Sequence, residues 1–168
     1  MSKKTIFLGI LLIIWMGFIF IMSNDSGTES GNNSKDIVTY IIDKYDKITH
    51  ASDDIITYHH STEFLDKANL VFRKICHFSE YFILSIIALC LFISFNKYSL
   101  LKCNIYAIMF SILYSITDEI HQIFVSDRSG NVIDVLIDSS GAIIGSVIIS
   151  LIVIITRKNK EKKKLENV

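Results

Sequence analysis

Four apolar runs, each long enough to cross a bilayer, constrain this chain more than any other feature. A hydrocarbon core of about 30 Å needs about 20 apolar residues in a helix. Thr5 to Met22 meets that requirement with no charged residue at all. Ile75 to Phe95 is rich in Ile, Leu and Phe, with His77 and Glu80 near its start. Cys103 to Val125 holds a clean stretch from Ile105 to Ile116 before Asp118, Glu119, His121 and Gln122. Val132 to Thr156 has Asp134 and Asp138 in its first turns and is apolar beyond them. The expected fold class is all-α, a polytopic membrane protein with four transmembrane helices and an outer amphipathic helical segment. Its parts are a first span (1–22), an extracytoplasmic segment (23–72), a core of three helices (73–156) and a basic cytoplasmic tail (157–168).

The first run follows Lys3 and Lys4, as a signal peptide would. Phe20-Ile21-Met22-Ser23-Asn24 lacks the small-x-small pattern for cleavage, which favours an uncleaved span. Cys76, Cys90 and Cys103 are odd in number and lack paired metal spacing, so neither a disulfide framework nor a zinc knuckle is expected.

Charge sets the expected orientation, because Lys and Arg are retained on the cytoplasmic side. With four spans, the N-terminus, the second connection and the C-terminal tail share one side. They hold ten of the seventeen basic residues and, in Glu161 and Glu166, two of the seventeen acidic ones. That side carries +8 and the remainder −8, although the whole chain has no net charge. Both termini are expected in the cytoplasm of a bacterial cell membrane, with the lipid bilayer as partner and no nucleic acid.

Ser23 to Ser34 is rich in Ser, Gly and Asn and reads as turn-forming and mobile. Beyond it, Ile37, Ile41, Tyr45 and Ile48, flanked by Val38 and Ile42, recur at helical spacing opposite Asp36, Asp43, Lys44, Asp46 and Lys47. One face of that helix is expected to be buried, either in the outer leaflet or on the bundle. A further helix is expected to begin near Ser61 or Thr62 and continue into the second span.

The ionisable residues of the spans gather at the outer end. Arg73, His77 and Glu80 share one helix face, beside Lys74 and Tyr81. Asp118, Glu119, His121 and Gln122 close the third span, Arg128 lies in the loop, and Asp134 and Asp138 open the fourth. Asp134, Asp138, Gly141 and Gly145 form one stripe whose small residues let helices approach closely. Asn104, Ser111, Ser115, Asp118 and Gln122 form a second. Glu80, Asp118, Glu119, Asp127, Asp134 and Asp138 outnumber Arg73, Lys74 and Arg128 by three charges. Each unpaired charge at the bilayer centre costs about 2.5–3.5 kcal/mol. Protonation, water, cationic His77 and His121, or a bound ligand can meet the excess. Three readings stay open: a structural network, a headgroup site with Arg73 and Arg128 as anion contacts, and a metal or catalytic site with His77, Glu80, Asp118 and His121 as candidate ligands.

Four ordered blocks resemble the VanZ-like family of bacterial membrane proteins. They are Arg73-Lys74-Ile75-Cys76-His77-Phe78-Ser79-Glu80, Thr117-Asp118-Glu119-Ile120-His121-Gln122, Arg128-Ser129-Gly130, and the run from Asp134 through Asp138 and Gly141 to Gly145. The chain departs from the family at Ser126-Asp127, where a Gly or Pro usually precedes the loop arginine. The resemblance implies a four-helix membrane protein whose namesake is linked to teicoplanin resistance; it supplies no agreed reaction, cofactor or catalytic residue. The expected function is action on a cell-envelope lipid, such as a cell-wall precursor, or its headgroup. The alternatives are a membrane-embedded metal-dependent hydrolase or phosphoesterase, and a non-catalytic scaffold.

Cysteine labelling in intact cells tests the orientation. Ser30→Cys and Ser129→Cys are expected to label from outside and Asn159→Cys to be protected. The reverse pattern overturns the assignment.

Overall fold

The computed structural model describes residues 2–166 as six helices, with no strand among them. They are α1 (Lys3–Asn24), α2 (Gly27–Thr49), α3 (Asp53–His59), α4 (Thr62–Ser94), α5 (Leu100–Gln122) and α6 (Val132–Glu166). Serine hydroxyls cap four of them: Ser2, Ser26, Ser61 and Ser99 each accept from a backbone N–H in the first turn. α1, α4, α5 and α6 are long and apolar enough to cross a membrane.

α4 is the hub, packing against α1, α2, α3, α5 and α6. α5 and α6 also pack on each other, giving a three-helix core, and α1 lies along α4 and α5. Lipid tails are as apolar as leucine, so burying leucine does not drive such helices together; close packing and interhelical hydrogen bonds do. The α4–α6 contact shows the first. A Cβ on Gly141 would overlap the carbonyl oxygen of Phe78, and one on Gly145 would lie 2.5 Å from that of Phe82. Two successive turns of each helix thus meet backbone to backbone. The second stripe behaves as expected: Ser111, Ser115, Asp118 and Gln122 are buried. Asn104 donates to the Ser146 carbonyl and the Ser150 hydroxyl across the α5–α6 seam. The three cysteines are free thiols.

α4 starts at Thr62, as expected, and its 33 residues span about 50 Å, more than the apolar layer requires. Its first turns carry α2 and α3. Asn69 donates to the Gly31 carbonyl, Lys35 pairs with Asp66 at 2.8 Å, and His59 meets Asp46 at 2.7 Å.

One expectation needs correction. In the stretch from Ser23 to Ser34, Ser23 and Asn24 end α1 and the chain is helical again from Gly27 onward, because the Ser26 hydroxyl caps α2 by accepting from the Glu29 N–H and tertiary contacts anchor it. Gly27 N–H donates to the Ser126 carbonyl, so close to the 126–127 backbone that a Cβ there would overlap Asp127. Of the two settings expected for the apolar face of α2, the bundle takes Val38, together with Ser34 and Asp46, while Ile37, Ile41, Tyr45 and Ile48 are exposed. α6 runs on through the basic residues to Glu166, and residues 167–168 of the tail lie outside the described chain.

Gly141→Ala is expected to lower the stability of the detergent-solubilised protein by about 1–3 kcal/mol, the usual cost of overpacking. Gly9→Ala, with nothing within 4 Å of the added methyl, serves as the control. Equal melting temperatures for the two variants would remove the backbone contact as the organising feature.

Candidate functional site

At the end of the bundle that carries α2, the polar faces of α4, α5 and α6 meet. Asp138 is fully buried, one turn ahead of the Gly141 contact. Its Oδ2 accepts from the Ser115 hydroxyl at 2.7 Å, and its Oδ1 lies 3.5 Å from His77 Nδ1. Helical spacing explains the set: His77 is one residue before Phe78 on α4, and Ser115 belongs to the small stripe of α5.

Glu119 is buried beside them. Its Oε2 accepts from the backbone N–H of Asn131 at 2.8 Å, whereas Oε1 has no partner among the described residues. The loop between α5 and α6 therefore folds back to orient a carboxylate of α5. Ligand atoms of His77, Glu119 and Asp138 lie within 4.8 Å of one another. Asp118 is also buried and accepts from the Gln122 amide at 3.3 Å. Lys74 forms an ion pair with Asp134 at the rim.

Two cavities flank this cluster. One, of about 180 Å³, is lined by Met22, Ile37 and Phe72 and by Arg73, His77, Glu80, Asp118 and Arg128. The other, of about 200 Å³, is lined by Lys74, Gln122, Asn131 and Asp134, again with Arg73, His77 and Arg128. These last three residues form the partition. Arg128 Nη2 donates to the Met22 carbonyl at 3.1 Å. Among the described residues, neither Arg73 nor Arg128 has a carboxylate within 4 Å. Burial, and after it the charge of Arg73, hold the Arg128 guanidinium below its ordinary pKa. The Asp118, Asp25 and Glu119 carboxylates oppose that shift from beyond ion-pair distance, so Arg128 is compensated in part without a directly paired acid.

The structure thus gathers most of the sequence-selected residues and sets others apart. His121 stacks on Phe20 of α1, ring centroids 4.7 Å apart, away from the cluster around His77. Tyr81 is fully buried with its hydroxyl unpartnered. Sequence reasoning did not single out the contribution of α1 and α2. Trp15 Nε1 donates to the Glu80 carbonyl at 3.0 Å, Tyr114 donates to the Met16 carbonyl, and Ser30, Asn33, Ser34 and Ile37 of α2 wall the first cavity. The chain's single tryptophan, the one side-chain N–H donor in an apolar span, was the available signal for α1. Asn131, which orients Glu119 through its backbone, left none, since any residue except proline supplies that N–H.

With this geometry in view, the comparison with known families is decisive. The VanZ/LLP1 family model matches residues 8–153, which takes in α1 to α5 and the apolar part of α6. The chain belongs to the VanZ/LLP1 family. It is a membrane protein of that family, and the His77–Asp138 cluster lies inside the matched region. Searches of curated proteins and of solved structures gave no match.

Ser115→Ala is expected to lower stability by about 1–3 kcal/mol, because it strips a hydrogen-bond donor from a buried carboxylate. Ser111 donates only to the Ala107 carbonyl of its own helix, so Ser111→Ala is expected to cost much less. Thermal unfolding of both variants in the same detergent checks the contrast; equal losses would show that Asp138 does not depend on Ser115.

Proposed function

We propose that this VanZ/LLP1-family protein acts at the outer face of a bacterial cytoplasmic membrane on the anionic headgroup of a cell-envelope lipid, such as a cell-wall precursor. In doing so it alters susceptibility to teicoplanin-type glycopeptides, which act outside the membrane. One observation carries the reading: Arg73 and Arg128 stand at the partition between two cavities with no carboxylate within 4 Å, among the described residues, in a region otherwise rich in acids. Guanidinium groups recognise phosphate in a bidentate way, and a pair of them without carboxylate partners is suited to that task. A cavity of about 180 Å³ has room for the phosphate of a headgroup, and Met22, Ile37 and Phe72 supply the apolar wall that the start of an acyl or polyprenyl chain would follow. The balance of basic residues supports an outward-facing site with both termini in the cytoplasm.

Arg128→Lys keeps the charge and loses the fork geometry. In a susceptible strain it is expected to weaken glycopeptide tolerance while membrane abundance stays at the wild-type level. Asp138→Asn is expected to be more harmful, since the carboxylate that faces His77 and Ser115 is fully buried. Tolerance and protein level are measured together. Parallel loss of both in Arg128→Lys favours a purely structural network, and full tolerance in both variants removes the headgroup site.

A further inference from the structure

We infer that His77, Glu119 and Asp138 form a binding site for one first-row transition-metal dication, at the junction of α4, α5 and α6. The inference goes beyond the lipid reading and stands whether or not that reading holds. Its basis is how the three side chains are prepared. Each carboxylate has one oxygen held by a hydrogen bond and the other left over. Ser115 donates to Asp138 Oδ2, leaving Oδ1 facing His77; the Asn131 N–H donates to Glu119 Oε2, leaving Oε1 without a partner. Orienting contacts of this kind surround metal-ligating carboxylates and fix which oxygen binds.

Distance and charge agree with the assignment. Donor atoms that share an ion tetrahedrally at about 2.0–2.2 Å stand about 3.3–3.6 Å apart. The three groups lie within 4.8 Å of one another, so side-chain shifts of about 1 Å bring them to ligating separation. Two buried carboxylates and a neutral imidazole carry −2, which a dication cancels. This removes most of the acidic excess of three charges at this end of the bundle. One imidazole with two carboxylates selects Zn²⁺, Mn²⁺ or Fe²⁺ over Mg²⁺ and Ca²⁺, which favour all-oxygen shells. Three protein donors leave at least one coordination position open for water or for a ligand oxygen. His77 lines both cavities, which places that position within reach of what they hold.

The candidate ligands chosen from sequence were His77, Glu80, Asp118 and His121; only His77 belongs to the geometric triad. Helical spacing shows which residues share a face, but not which oxygen of which carboxylate is left free by the loop backbone.

The test uses the full chain, purified in detergent without metal and with its affinity tag removed, then loaded with ZnCl₂ or MnCl₂ and desalted. About one equivalent retained per chain is expected, with a higher melting temperature in the presence of metal. Glu119→Gln and Asp138→Asn are expected to lose at least about tenfold in affinity. Asp66→Asn, far from the cluster, retains wild-type binding. Wild-type protein that keeps no metal and shows no thermal shift overturns the site, as does full binding by both carboxamide variants. Where those variants fail to accumulate, wild-type protein decides alone. Bound Mn²⁺ coupled magnetically to one imidazole nitrogen supports the site, and the lack of that coupling overturns it.

Discussion

The backbone contact between α4 and α6 governs the rest of the molecule. In an apolar solvent the hydrophobic effect does not select which helix faces pair, so shape and hydrogen bonding must. Gly141 and Gly145 leave room for the carbonyls of Phe78 and Phe82, and that closeness fixes both rotation and register of the two helices. Once register is set, the residues one turn away have no choice of neighbour: Asp138 must face His77, and the polar stripe of α5 must close over them.

The cost of this arrangement is a fully buried carboxylate beside two other buried acids, Asp118 and Glu119. A scaffold alone does not need them, since well-packed apolar residues of similar volume often stabilise as well as or better than a buried ionic network. The structure meets part of the cost with specific donors: the Ser115 hydroxyl, the Asn131 amide, the Gln122 side chain and the Lys74 ammonium at the rim. What remains, among the described residues, is an unpartnered oxygen on Glu119 and two arginines at the cavity walls with no carboxylate within 4 Å. Negative and positive excess thus lie side by side, the first in the helix junction and the second at the partition. That separation is what a site for both a cation and an anionic headgroup requires.

α1 and α2 give the site its enclosure. Trp15 and Tyr114 tie α1 to α4 and α5 through backbone carbonyls, and Arg128 reaches from the loop to Met22 at the end of α1. α2 rests on the first turns of α4 and closes one cavity with Ser34 and Ile37, while Ile41, Tyr45 and Ile48 stay exposed beside it.

Sequence alone determined the four spans, the helix that begins at Thr62, and the face on which Asp134, Asp138, Gly141 and Gly145 lie, because length, apolarity and the 3.6-residue period are local properties. It also singled out the acidic excess at one end, since counting charges needs no coordinates. It misjudged the 27–34 stretch, where a cap and a backbone bond to Ser126 outweigh the turn-forming composition, and it left open whether the apolar face of α2 packs on the bundle. Apolarity shows which face avoids water, but packing chose the stripe of Ser34 and Val38 that fits against α4. Only tertiary structure brought Glu119 to His77 and Asp138 and turned His121 toward Phe20. Adjacent helix positions such as Glu119, His121 and Gln122 differ by about 100° per residue in direction. Which direction points inward is decided by how far each helix rotates when its neighbours dock, and for these helices the backbone contact at Gly141 decides it.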